Sequence, residues 1–179
     1  SETDPTGRTI SYEYAPNDRL STIRDDNGNP TGFSYDGSGN VQEITDASGE
    51  VSQSFQYDGS GNPTQIASLG NTVNLEYDTS GNVTRRTDLA GNERVYTYDE
   101  NGNVLTETVT RTTGDGPVEE ATTYGYTANG DITSVTDADG NVTIFSYNGA
   151  GLPESQTDPR GNTTTFEYDK RGNLVKKIY

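Results

Sequence analysis

The side chains that most often carry chemistry are missing from this sequence. It has no His and no Cys. That removes Ser-His-Asp and Cys-His nucleophilic devices, thiolate metal sites and disulfides. What remains is oxygen. Paired carboxylates could serve as the acid and base of a glycosidase, and clustered Asp and Asn could hold calcium. The densest clusters are Asp25-Asp26-Asn27-Gly28-Asn29 and Asp137-Ala138-Asp139-Gly140-Asn141, so Asp25, Asp26, Asp137 and Asp139 are the candidate calcium ligands. An EF-hand loop places Gly sixth and an acid twelfth. Here Gly comes fourth, and the Gly-Gly-x-Gly-x-Asp pattern of calcium β-rolls does not occur. The twelve Tyr and four Phe could offer flat faces to a sugar. Against each of these readings stands a plainer one: the aspartates build turns and the rings pack a sheet face.

The spacing favours the plainer readings. A tyrosine recurs at Tyr14, Tyr35, Tyr57, Tyr77, Tyr98, Tyr126, Tyr147 and Tyr168. Two residues before each lies another large apolar side chain, Tyr12, Phe33, Phe55, Leu75, Tyr96, Tyr124, Phe145 and Phe166. A separation of two places both on one face of a strand. Four residues after the tyrosine comes Gly39, Gly61, Gly81, Gly102, Gly130, Gly151 or Gly172, with Asp18 in the first copy, and usually Asn and a branched apolar residue follow. A second Asp-x-x-Gly ends at Gly28, Gly49, Gly91, Gly140 and Gly161, and an opening copy is Asp4-Pro5-Thr6-Gly7. Asp accepts hydrogen bonds from backbone N–H groups two residues on, and Gly supplies the positive φ that closes a type I turn with a G1 bulge. Each unit of about 21 residues therefore reads strand, turn, strand, turn. The segments between are rich in Thr, Val, Tyr and Phe, and no helical periodicity is sustained. The fold class is all-β: eight tandem hairpins, about sixteen short strands, one continuous antiparallel sheet that curls or spirals, and no helices. Residues 1–179 read as a single array.

Departures from the period carry predictions. Turn glycine to tyrosine is seven residues everywhere except Gly49 to Tyr57, which is eight. That predicts a β-bulge between Glu50 and Phe55. The third unit lacks its second aspartate and is one residue short at Ala67-Ser68-Leu69-Gly70. The fifth carries seven extra residues around Thr113-Gly114-Asp115-Gly116-Pro117, a hairpin insertion over 110–121 that should protrude from the array.

Composition agrees with an extended architecture. Only 27% of residues are hydrophobic and the mean hydropathy is −0.89. Such a chain cannot offset the entropy of folding with a thick core, so each unit must pack on its neighbours. The net charge of −16 repels phosphate backbones and anionic lipid heads, which excludes nucleic acid as a partner. No apolar run approaches membrane-spanning length, so membrane insertion is not expected, and no signal peptide is present. A start without Met suits a mature or excised segment. The sequons at Asn82-Val83-Thr84, Asn141-Val142-Thr143 and Asn162-Thr163-Thr164 fall out of the repeat itself.

The string Tyr35-Asp36-Gly37-Ser38-Gly39-Asn40-Val41, with Thr45-Asp46-Ala47-Ser48-Gly49 behind it, resembles the YD-repeat of the Rhs family. The pattern recurs at Tyr77-Asp78-Thr79-Ser80-Gly81-Asn82-Val83 and at Tyr168-Asp169-Lys170-Arg171-Gly172-Asn173-Leu174, and covers essentially the whole chain. That family includes bacterial Rhs and wall-associated toxins, toxin-complex subunits and teneurins. The resemblance implies a β-sheet spiralling into a hollow shell, often around a toxic C-terminal domain. Ala15, Thr127 and Asn148 depart from the aspartate after the tyrosine. The self-cleaving core of the family typically reads Asp-Pro-x-Gly-Leu. Here Asp158-Pro159-Arg160-Gly161 runs into Asn162, and Asp4-Pro5-Thr6-Gly7 into Arg8, so neither an autoprotease nor a toxin domain is read.

The expected function is a non-enzymatic scaffold, a segment of an exported or cell-surface shell that encloses or displays other domains, needing no cofactor. The residues that matter are structural: Tyr35, Asp36 and Gly39; Tyr57, Asp58 and Gly61; Tyr77, Asp78 and Gly81; Tyr98, Asp99 and Gly102; Tyr168, Asp169 and Gly172. Its partners are neighbouring repeats or further copies of the chain, with an enclosed cargo domain or a surface glycan as others. Two alternatives stand beside it. One is an extracellular adhesion or carbohydrate-binding module using the tyrosine face or the Thr113–Pro117 hairpin. The other is a fibre, since the two ends of the sequence are in phase with one another.

Overall fold

The computed structural model describes all 179 residues, and it contains seventeen strands and no helix. All belong to one open antiparallel sheet. Contacts gather the chain into two compact units, residues 1–81 with 86–89, and residues 82–85 with 90–179, where the periodicity alone reads as one array.

The first unit holds β1 (Glu2–Thr3), β2 (Thr9–Tyr14), β3 (Leu20–Arg24), β4 (Pro30–Tyr35), β5 (Val41–Thr45), β6 (Val51–Tyr57), β7 (Pro63–Ser68) and β8 (Asn71–Tyr77). Each pairs antiparallel with the next. The second holds β10 (Glu93–Tyr98), β11 (Val104–Thr113), β12 (Gly116–Tyr126), β13 (Ile132–Thr136), β14 (Val142–Tyr147), β15 (Pro153–Thr157), β16 (Thr163–Tyr168) and β17 (Leu174–Ile178), paired in the same way. β9 (Val83–Asp88) contributes residues to both. The seventeenth strand, beyond the expected sixteen, is the two-residue β1.

Thr45 pairs with Val51 and Ile44 with Gln53, which leaves Ser52 without an opposite residue. The extra residue between Gly49 and Tyr57 is thus absorbed as the expected bulge, and the Ser52 hydroxyl donates to the Ile44 carbonyl at 3.0 Å. The shortened third unit closes on a two-residue turn, with Ser68 paired to Asn71 and positive φ at both Leu69 (30°) and Gly70 (84°). This is the handedness that two-residue hairpins need, met by a leucine where Asn or Gly is usual. The insertion is a long hairpin. Thr113 pairs with Gly116 at its tip, and Arg111–Thr113 extend past Glu93, the first residue of β10, which pairs with Thr110.

No residue of the chain is fully buried. Cohesion is therefore spread along the sheet. On one face, aromatic rings sit opposite branched side chains: Tyr12 with Ile23, Phe33 with Ile44, Phe55 with Ile66, Tyr124 with Val135. Such cross-strand pairs contribute about 0.2–1 kcal/mol each. Where Glu107 stands opposite Tyr96, Arg94 meets its carboxylate in a hydrogen-bonded ion pair. The other face carries polar ladders, such as Gln56 to Gln65 at 3.1 Å and Gln65 to Asn74 at 3.0 Å.

Candidate functional site

The turns after the tyrosines form a repeated local machine. In the turn 36–40, the Gly39 N–H donates to the Asp36 carbonyl (3.1 Å) and the Asp36 N–H to the Asn40 carbonyl (2.9 Å). With φ of +96° at Gly39, this is a type I turn closed by a G1 bulge, and an L side chain there would be strained. Asp36 Oδ1 accepts the backbone N–H groups of Ser38, Gly39 and Asn40 at 2.7–2.9 Å. Its Oδ2 accepts the Asn40 side-chain amide at 3.1 Å. The asparagine after the glycine, noticed in the sequence but given no role there, is thus a clamp on the second carboxylate oxygen. The same bond joins Asp58 to Asn62, Asp99 to Asn103 and Asp169 to Asn173. Asp78 takes the Ser80 N–H at 2.9 Å, and its carbonyl takes the Gly81 N–H.

Departures from Asp are accommodated locally. Thr127 Oγ1 accepts the N–H groups of Asn129 (3.2 Å) and Asp131 (3.1 Å). Asn148 Oδ1 accepts those of Ala150 and Leu152. Asp18, which stands in the glycine place of the first unit, takes up φ of +59° itself, a conformation that Asp tolerates better than most residues.

These hydrogen bonds govern the carboxylates. The Asn40 backbone N–H, then its side-chain amide, holds Asp36 below the ordinary range, and Asn62 does the same for Asp58. The asparagine side chain leads at Asp25, Asp99, Asp137, Asp158 and Asp169. A general acid needs the opposite shift. Of the calcium candidates, Asp25 and Asp137 spend Oδ1 on two backbone N–H groups and Oδ2 on Asn29 and Asn141. Asp26 and Asp139 lie beside them at the exposed turn tips. No group of three acidic side chains is arranged to hold one cation.

The tyrosines do something that the sequence does not announce. Tyr35 donates its phenol hydroxyl to the Leu20 carbonyl (2.8 Å), Tyr57 to Val41 (2.8 Å), Tyr77 to Pro63 (2.9 Å) and Tyr98 to Val83 (2.6 Å). Tyr126 and Tyr147 repeat the bond at Val104 and Ile132. The acceptor follows from strand alternation. The Asn40 carbonyl turns inward to close its own turn, so the next carbonyl, Val41, faces the neighbouring hairpin. There the ring of Tyr57 reaches it. Each of these six tyrosines thereby ties its hairpin to the start of the second strand of the preceding one, and its ring is half-buried. Tyr168 holds the equivalent position opposite Leu174. Ring-on-ring contact runs along the strand, with Phe55 and Tyr57 stacked at 6.5 Å and Tyr96 and Tyr98 tilted at the same distance. Burial first, and then the charge of Asp36, pushes the Tyr57 phenol above its ordinary value. Tyr77 feels burial and Asp58, and Tyr126 burial and Asp99.

A second irregularity recurs at Tyr14, Tyr35, Tyr57, Tyr98, Tyr126, Tyr147 and Tyr168. Ser34 pairs with Glu43 but Tyr35 with Val41, so Gln42 has no opposite residue. Thr64 is skipped in the same way beside Tyr57, and Leu105 beside Tyr98. This bulge brings Val41 and Ile44, three apart in sequence, onto the face shared by Tyr35 and Phe33.

Comparison with known proteins agrees with this geometry. The RHS Repeat family model matches residues 16–51, 35–73, 77–118, 126–161 and 147–179. No curated protein sequence matches the chain. Among solved structures, the chain is similar to the crystal structure of TcdB2-TccC3-TEV, with TM-score 0.65 and 15% identity, over 94% of this chain and 11% of that one. It is also similar to TcdB2-TccC3 without the hypervariable C-terminal region, with TM-score 0.53 and 14% identity, over 94% of this chain and 12% of that one. At such identities the likeness is one of fold, and this chain spans about a tenth of either neighbour's length. The clamped turns, the tyrosine ties and the family matches over most of the sequence agree: the chain belongs to the RHS repeat family.

Proposed function

We propose that this chain is a stretch of wall in a larger RHS shell: a scaffold, exported or cell-surface, whose function lies in what it encloses or displays. The observation that carries this is the tyrosine tie. Six consecutive hairpins are each fastened to the one before by a hydroxyl-to-carbonyl bond, and no residue anywhere is fully buried. A structure built only from neighbour contacts lengthens without redesign, which suits a wall. Its −16 charge suits a surface that must stay dispersed. The similar structure prepared without a hypervariable C-terminal region supports a division of labour, with the varying part lying beyond a constant scaffold.

Electron microscopy of the full-length gene product tests the reading. The expected result is a closed wall around an internal space that contains further density. A solid particle, or a free ribbon with no enclosed volume, overturns it.

A further inference from the structure

Four turns place Asn immediately before Gly, and in three of them the Asn is exposed: Asn27-Gly28, Asn101-Gly102 and Asn129-Gly130. In the fourth, Asn148-Gly149, the asparagine is half-buried and its side-chain oxygen is held by the Ala150 and Leu152 N–H groups. Glycine imposes no side-chain hindrance, so its backbone nitrogen can attack the preceding side-chain amide. That nitrogen must first lose its proton, and a nearby negative charge makes this harder.

The three turns with an exposed Asn differ in that charge. At Asn27, the Asp25 carboxylate accepts the Asn27 N–H at 2.9 Å and also draws on the Gly28 N–H. Asp26 lies against the Asn27 amide at 3.5 Å. At Asn101, Asp99 accepts the Asn101 N–H at 2.9 Å and draws on the Gly102 N–H. At Asn129 the same place is taken by the neutral Thr127 hydroxyl, at 3.2 Å from the Asn129 nitrogen. The carboxylate in that turn, Asp131, accepts the Thr127 hydroxyl at 3.4 Å. The Gly130 N–H is engaged only with the neutral Thr127 carbonyl, at 3.1 Å.

We propose that Asn129 is a site of spontaneous deamidation, and that the aspartates of the other turns protect theirs. The deprotonated Gly130 nitrogen attacks Asn129 Cγ, the C–N bond to the side-chain amide breaks, and that nitrogen leaves as ammonia. Water then opens the resulting five-membered imide at either carbonyl, leaving aspartate or isoaspartate at 129. One neutral residue becomes an anion beside Asp131, in a turn whose first residue is Thr127 rather than aspartate. The rate follows the fraction of deprotonated amide, so each unit by which a carboxylate raises that pKa slows the step about tenfold.

The test is peptide mapping by mass spectrometry of the intact chain aged in mildly alkaline buffer, with isoaspartate quantified at all three positions. Asn129 is expected to convert about tenfold faster than Asn27 or Asn101. Thr127→Asp is expected to bring it down to their rate, and Asp99→Asn to raise Asn101 toward that of Asn129. Equal rates at the three positions in the unaltered chain overturn the proposal, as does a Thr127→Asp chain, folded by circular dichroism, in which Asn129 still converts fastest.

Discussion

Replacing Tyr57 with Phe removes one oxygen and nothing else from the tyrosine rim. The ring keeps its 6.5 Å stack on Phe55, while the Val41 carbonyl loses its donor at 2.8 Å. A hydrogen bond of this kind contributes about 1 kcal/mol net. Because the ring is only half-buried, water can reach part of the vacated carbonyl, so the expected cost is about 0.5–1 kcal/mol. For a chain of this size that is a fall in Tm of about 1–4 °C, and about twice that if the first unit unfolds by itself. Tyr14→Phe is the control, since Tyr14 is 62% exposed, and it should change nothing measurable. Tyr57→Ala, which also deletes the ring, should cost about 2 kcal/mol. The assay is urea and thermal unfolding followed by far-ultraviolet circular dichroism. A Tyr57→Phe chain as stable as Tyr14→Phe would mean that the ties are incidental, and the wall would need another account of its cohesion.

Three further outcomes follow from the same geometry. The turn aspartates are held below the ordinary carboxylate value of 3.8 by bonds from asparagine, serine and backbone N–H groups. A lowered pKa contributes stability that is present above the unfolded value and lost below it. Tm should therefore hold steady on acidification to about pH 4 and fall steeply beneath it, more shallowly in Asp36→Asn; a Tm that starts to fall well above pH 4 contradicts the assignment. The phenols of Tyr57, Tyr77 and Tyr126 are shifted the other way, mainly by burial, so their contribution is present below about pH 10 and lost above it. In an alkaline titration, the part of the tyrosinate absorbance that a Tyr57→Phe chain lacks should rise together with loss of the β signal, and its rise at the ordinary value in a chain that stays folded refutes this. Leu69 is held at positive φ with 86% exposure, so Leu69→Asn should stabilise by about 1 kcal/mol in the same urea assay; a loss of stability would show that its side chain makes contacts the turn needs.

What was legible in the sequence was whatever is local. Asp36 and Gly39 announce their turn because every bond it needs lies within five residues. One surplus residue between Gly49 and Tyr57 must be taken up somewhere in β6, and Ser52 is where. What stayed hidden depends on a neighbouring strand. The acceptor for Tyr57 lies 16 residues back, and nothing in the types of Tyr57 or Val41 names it. The turn at Leu69-Gly70 was visible as a deletion but not as a two-residue hairpin, because Leu is a poor candidate for positive φ. The Asn40 clamp was the nearest miss: the residue was noticed, but its partner is a carboxylate oxygen already assigned to the turn.

One signal could have exposed more. Val41 and Ile44, Leu20 and Ile23, Pro63 and Ile66, and Ile132 and Val135 are each three apart, a spacing that no uninterrupted strand places on one face. The bulge beside the tyrosine resolves it, since Val41 lies opposite Tyr35 and Ile44 opposite Phe33. The skipped residues bear this out: Leu105 and Val175 occupy that position and are 39% and 61% exposed despite being apolar. The bulge and the tyrosine tie then belong together. A local increase in strand twist splays neighbouring hairpins at the rim, the ladder between β3 and β4 stops at Thr22 and Gly32, and the carbonyl of Leu20 is left facing a gap that a phenol hydroxyl spans at 2.8 Å. A shorter side chain could not cross that gap, and a longer flexible one would lose more entropy in doing so. The repeat therefore keeps tyrosine at the rim while it freely exchanges Phe, Tyr and Leu two residues earlier, where only apolar contact is required.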